Sequence, residues 1–176
     1  MLFRSRDVPS GTSISWVNFS SQPLNDQTQQ SVQESLTLDH TPLLAMRHLH
    51  RAKLEHMPHH KWIDATIAAE LAIKEVLARA KPDLEPLLVN MQSPPFSKLY
   101  GDVLATYLGE ESPFRKRLIT GQEVRNALVH RPGAEQIDSQ EANDYVEAVE
   151  GAIFHLLSLL YPKDPLIVEA RYRADA

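Results

Sequence analysis

KWIDATIAAELAIKEVLARAK, residues 61–81, is the stretch whose reading decides the fold. Asp64, Glu70, Lys74, Glu75 and Arg79 fall on about half of a helical wheel. Ile63, Ile67, Leu71, Ile73, Val76 and Leu77 fill most of the rest, the signature of an amphipathic helix that buries one side. Pro82 stops it.

The same period extends in both directions. Upstream, Pro42 sits where a helix can begin, and Leu43, Met46, Leu49/His50 and Leu54 keep the helical spacing as far as Pro58. Downstream, Leu84–Met91 predicts a short helical turn, and Phe96–Leu108 a longer helix ending at Gly109. Ser112-Pro113 offers a cap with proline at the first helical position. Thr120-Gly121-Gln122-Glu123 has the form of a capping box that starts or restarts a helix running to His130, which Pro132 and Gly133 end. Asp138-Ser139-Gln140-Glu141 is a second capping box. It opens a long helix whose stripe is Tyr145, Val146, Val149, Ile153, Leu156, Leu157 and Leu160, closed by Pro162. Tyr100, Tyr107 and Tyr145 read as core or interface residues.

Residues 1–39 differ. They are rich in Ser, Gln, Thr and Asn and show no helical period; Thr12–Phe19 (TSISWVNF) predicts a short strand or hairpin, and Gln22–Gln33 a polar linker. The expected organisation is an irregular or β-containing arm over 1–39, an all-α bundle of four to five helices over 40–162, and a peripheral tail over 163–176.

Composition excludes several classes. The 176 residues contain no cysteine, so there is no disulfide framework, thiol nucleophile or thiolate zinc site. A chain of this length buries about 70% of its unfolded surface and needs no staple. The net charge of −5 argues against a general nucleic-acid coat and leaves room only for a local basic patch. The longest apolar run, Ala152–Leu160, is interrupted by His155 and Ser158 and falls far short of the roughly 20 residues of a membrane span. Met1–Arg6 lacks a secretory apolar stretch, so the expected compartment is the cytoplasm, with no membrane partner.

The most informative chemistry lies in Glu123–Gly133, EVRNALVHRPG. Asn126 and His130 are four apart and share a helix face, while Arg125 has a side chain long enough to wrap toward them. An imidazole moves protons near neutrality. A guanidinium pairs with phosphate and stabilises charge developing on it. The carboxamide orients either one, so the set suits cleavage of a phosphodiester without metal or other cofactor. On spacing alone, capping of free carbonyls in a last helical turn is the commoner use of such an Arg and His. Between Pro113 and Gly133, Arg115, Lys116, Arg117, Arg125 and Arg131 face one acid, Glu123, for a local charge of +4; Arg115–Arg117 read either as an RNA-phosphate surface or as a solvated face.

The run Arg125-Asn126-Ala127-Leu128-Val129-His130 resembles the signature of HEPN domains (higher eukaryotes and prokaryotes nucleotide-binding), in which Arg and His stand four to six residues apart. An acidic amphipathic helix before it, Ala68–Lys74, and a long apolar helix after it are similar too, and the likeness covers about residues 42–162. The resemblance implies a bundle that forms homodimers and cuts RNA at a cleft between protomers, leaving a 2′,3′-cyclic phosphate. It implies His130 as acid/base, Arg125 as the phosphate-binding residue, Asn126 as the orienting group and Glu70 as a partner of Arg125; an i,i+4 pair of Glu70 with Lys74 is the alternative. The implied setting is a toxin with its antitoxin, or phage defence. The runner-up is a non-catalytic bundle that binds a nucleotide or a partner protein.

His48, His50, His56, His59 and His60 lie within thirteen residues, with His40 nearby. Pro58 interrupts the His56/His60 pair and no ordered ligand pattern appears, so this segment reads as a solvated turn and not a metal site.

Overall fold

The computed structural model describes residues 43–90, 94–131, 136–164 and 167, with only the backbone of Val89. The strand expected over Thr12–Phe19 lies outside the described residues. Among them the fold is all-α. Helix α1 spans Leu44–Leu54, α2 Pro58–Ala80, α3 Glu85–Asn90, α4 Leu104–Leu108, α5 Arg115–His130 and α6 Ser139–Leu160.

Helix α2 is the central element. Its Ala65, Ala68, Ala69 and Ala72 are fully buried, and such small side chains let neighbouring helices approach closely. Ile73, Val76 and Leu77 join the core as expected, whereas Ile63, Ile67 and Leu71 are half-buried. Asp64, which the wheel placed on the polar arc, is buried, and its carboxylate lies 3.5 Å from His48 Nδ1 and 3.4 Å from Arg51 Nη2 on α1. At the other end of α1, the Glu75 carboxylate accepts the backbone N–H groups of Leu44 at 2.9 Å and Ala45 at 3.1 Å. Helix α1 therefore begins on a cap supplied by α2, where a carboxylate also complements the helix dipole.

Helix α6 starts on the capping box read from sequence: Asp138 Oδ1 accepts the Glu141 N–H at 2.8 Å and Glu141 returns the bond to the Asp138 N–H. Its Tyr145, Val146, Val149, Ile153 and Leu156 are buried. Helices α2 and α6 run parallel: Lys61 donates to Asn143 at 2.6 Å, Thr66 meets Tyr145 at 3.1 Å, and Arg79 reaches Tyr161 at 3.4 Å.

Two expected elements are built differently. The Phe96–Leu108 helix is broken at Gly101, whose φ of −108° and ψ of −111° are outside the helical range; the Arg115 guanidinium lies where a β-carbon would stand, 2.6 Å from Cζ. Thr120–Glu123 starts no helix. Thr120 Oγ1 bonds back to the Lys116 carbonyl at 3.3 Å, Gln122 Oε1 accepts the Phe96 N–H at 3.1 Å, and α5 continues from Arg115 to His130 without interruption. Its start falls two residues after Pro113, with Ser112 Oγ accepting the Phe114 N–H at 3.3 Å.

Candidate functional site

Helix α5 carries the Arg125-Asn126-x-x-x-His130 set, and three contacts fix where it sits. A β-carbon on Gly121 would lie 2.0 Å from Tyr145 Cε2, so the α5 backbone rests directly on that ring. The ring stacks on Trp62 with centroids 4.2 Å apart, and Trp62 Nε1 donates to the Gly121 carbonyl at 2.9 Å. One level further along, Phe114 fills the notch at Gly151, where a β-carbon would be 2.4 Å from Cζ. Phe114 against residue 151 and Gly121 against residue 145 make α5 antiparallel to α6, and hence to α2. The C-terminal turns of α5 thus run toward the end of the bundle where α2 and α6 begin.

On α5, Leu118 and Gly121 are buried and Val124 and Leu128 half-buried, giving the inward stripe. Arg125 is half-buried beside this stripe, whereas Asn126 and His130 are exposed. A helix turns about 100° per residue, so Arg125 and His130 leave the axis roughly 140° apart. The Arg125 side chain closes part of that gap: Nη1 donates to Asn126 Oδ1 at 3.3 Å, which brings the guanidinium round to the face of Asn126 and His130. His130 is the last helical residue and is exposed on the final turn. Arg131 follows as an exposed C-cap, its N–H bonded to the Ala127 carbonyl at 2.7 Å.

The other sequence-derived residues do not join this group. Lys116 and Arg117 are exposed on the first turn of α5, roughly 12 Å along the axis from Arg125 at 1.5 Å per residue. Arg115 donates to Glu111 at 2.7 Å and packs over Gly101. The local charge of +4 is therefore divided between the two ends of one helix. Glu70 takes Lys74 Nζ at 2.8 Å, the i,i+4 pair. Because α5 and α2 are antiparallel with Gly121 level with Trp62, Glu70 stands near the start of α5, roughly 18 Å along the axis from the level of Arg125.

Family models, curated proteins and solved structures alike return no match to this chain.

The positioning residues Trp62, Gly121 and Tyr145 were not singled out for this role from sequence. Gly121 inside a helical segment is the one available signal, since a close backbone approach is what a helix interior trades its propensity for. Burial and the Thr66 bond define the environment of Tyr145: burial pushes its hydroxyl up from the ordinary value, while the Thr66 hydrogen bond and the Arg117 charge oppose the rise. Burial likewise pushes the Tyr100 hydroxyl up, helped by the Tyr145 and Glu70 charges; it donates to the Ala69 carbonyl at 2.7 Å. Among the described residues no three His, Asp or Glu side chains are grouped to hold a metal ion, and no helix is long and apolar enough to cross a membrane.

Proposed function

We propose that this chain is a metal-independent endoribonuclease of the HEPN type, cytoplasmic and working without a cofactor in a toxin–antitoxin or phage-defence setting. The observation that carries this reading is the Arg125–Asn126 hydrogen bond on the exposed terminal turn of α5, which draws a guanidinium toward the face that also bears His130. In the reaction, the 2′-hydroxyl oxygen of RNA bonds to the adjacent phosphorus and the bond from phosphorus to the 5′-oxygen breaks. The 2′-proton leaves to a base and the 5′-oxygen receives one from an acid, leaving a 2′,3′-cyclic phosphate and a 5′-hydroxyl. His130 serves in this proton transfer, and Arg125 neutralises charge growing on the non-bridging oxygens. The angular separation of Arg125 and His130 within one helix favours a cleft shared by two copies of the chain, each supplying one set across a two-fold axis.

Purified protein is expected to cut single-stranded RNA in the presence of EDTA, and the His130→Ala variant is expected not to. Equal cleavage by both rejects the assignment. Val129, 44% exposed beside His130, favours a second reading in which this end of the bundle binds a partner protein or a nucleotide without catalysis; binding of RNA or antitoxin with no cleavage in any buffer selects it.

A further inference from the structure

Helix α1 lies on the flank of α2 turned away from the site described so far. On α2, Trp62 bonds to α5, whereas Asp64, two residues on and about 200° round the axis, meets His48 and Arg51 of α1. Helix α1 buries Ala45, Leu49 and Ala52 against the bundle. Of its residues, Leu44, Arg47, Arg51, Lys53 and Leu54 are exposed, and Lys53 is bonded to Glu150 of α6. The other four follow one another at steps of three, four and three residues. That spacing places them within about 80° of one another, on a single stripe facing away from the core.

The stripe has a definite order. Leu44, 44% exposed, and Leu54, 63% exposed, stand roughly 15 Å apart at its ends, with the two arginines between them. Met57, 56% exposed in the turn that follows, extends the apolar end. No Asp or Glu occurs in α1, and Arg47 has no carboxylate partner among the described residues. Like charges one turn apart repel, so this pair of arginines works against α1 as an isolated helix. Arg51 is pinned from beneath by the buried Asp64, 3.4 Å from Nη2, and keeps a side chain 67% exposed for a second carboxylate.

We propose that this stripe docks an acidic amphipathic helix of another protein. Two carboxylates four residues apart on that helix meet Arg47 and Arg51, and apolar residues on either side of them cover Leu44 and Leu54. Steps of three and four are the spacing at which helices mesh along a seam, and a carboxylate takes a guanidinium in a fork of two bonds. The same order tells against other occupants. A phosphate backbone has nothing apolar to lay on the leucines. A helix lying in a membrane surface keeps its cations off its apolar face, whereas here the arginines interrupt it. A second copy lacks the matching pattern, because no described helix carries two acidic residues four apart. Docking on α1 leaves the terminal turn of α5 open, so it stands apart from the ribonuclease reading.

The test uses the full chain and a labelled, end-capped peptide of about 20 residues, long enough to be helical in an alanine-rich background. It bears Leu-x-x-Glu-x-x-x-Glu-x-x-Leu, which reads the same in both directions and so suits either helix polarity. Fluorescence anisotropy is expected to show binding to wild type that weakens with salt. Arg47→Glu and Leu54→Ser, both at exposed positions, are expected to keep the wild-type melting curve and to bind the peptide roughly tenfold more weakly. A peptide with one Glu replaced by Lys should bind Arg47→Glu better than the parent peptide does. No binding by wild type, equal binding of a peptide with both Glu replaced by Lys, or full affinity in Arg47→Glu overturns the proposal. The two variants are also compared with wild type on a 2′-O-methyl oligoribonucleotide, on anionic lipid vesicles and in sedimentation. A loss in one of these, without peptide binding, gives the stripe to RNA, membrane or a second copy and overturns the acidic helix. RNA cleavage by wild type is expected to be unchanged by saturating peptide; absence of any cleavage sinks the ribonuclease reading and leaves this site standing.

Discussion

Replacing Gly121 by alanine puts one methyl group into the contact that seats α5. The new β-carbon would lie 2.0 Å from Tyr145 Cε2, 2.2 Å from Cζ and 2.3 Å from the hydroxyl oxygen. Carbon atoms prefer separations of about 3.5–4.0 Å, so the ring or the helix must move by roughly 1.5 Å. Neither moves freely. Tyr145 is fully buried and stacked on Trp62, and its hydroxyl meets Thr66 at 3.1 Å. Moving α5 instead stretches the 2.9 Å bond from Trp62 Nε1 to the Gly121 carbonyl. Overpacking of this kind costs about 3 kcal/mol at its upper usual range, and the better helix propensity of alanine returns about 1 kcal/mol. The net expectation is a loss of ~2 kcal/mol, which for a domain of this size lowers Tm by roughly 8 °C. A thermal melt followed by circular dichroism measures it, and in a Trp16→Phe background the emission maximum of Trp62, then the sole tryptophan, reports the disturbed stack. In a Tyr145→Leu background the ring is gone, so Gly121→Ala should cost nothing further or stabilise slightly. A Tm at or above wild type in the single variant, or an undiminished loss in the double, refutes the seating of α5 on Tyr145.

Other outcomes follow from the same geometry. Arg125→Ala is expected to lower RNA cleavage in EDTA by about 10²–10³-fold, the usual loss for a charge-stabilising group, with an unchanged melting curve because the side chain is only half-buried; parallel losses of activity and Tm would instead mark a structural role. Asp138→Ala removes the side-chain half of the α6 capping box and is expected to cost ~1 kcal/mol in urea denaturation; an unaltered midpoint would show that the box contributes nothing. Tyr100 and Tyr145 have hydroxyl pKa values raised above the ordinary 10.0 by burial. The folded state therefore binds those protons more tightly than the unfolded chain does. Its stability is full below pH 10.0 and declines as the pH rises past it. A spectrophotometric alkaline titration should show two tyrosines ionising only together with unfolding, and early, reversible ionisation of all of them would contradict the burial.

Much of the fold was legible because the signals are local. The Asp138–Glu141 capping box, the stripe from Tyr145 to Leu156 and the proline at 162 delimit α6 from residues within a few positions of one another. The end of α2 before Pro82 is equally local. The misreadings all involve residues claimed by distant partners. Thr120–Glu123 has the letters of a helix start, but Gln122 is spent on the Phe96 N–H and Gly121 is pressed against α6. Asp64 looks like a solvated polar position until His48 and Arg51 of α1 cover it. The start of α1 was placed by a proline, whereas Glu75 of α2 provides its cap. For the site, the sequence supplied the residue set Arg125, Asn126 and His130, because a four- or five-residue spacing within one helix is itself a geometric statement. It gave no means of locating Glu70 or the cluster Arg115–Arg117 relative to that set.

Sequence alone thus determined that the chain beyond about residue 40 is read as helical, where several of its helices stop, and which terminal turn concentrates Arg, Asn and His. These properties depend on periodicity, caps and prolines, all of which act within a turn or two of the backbone. Tertiary structure decided the direction of α5. A missing β-carbon at Gly121 and a ring at Tyr145, 24 positions later in the chain, lock α5 antiparallel to α2 and α6. That single packing choice carries Arg125 and His130 away from Glu70 and toward the end of the bundle where α2 and α6 begin, a placement that no spacing along the chain encodes.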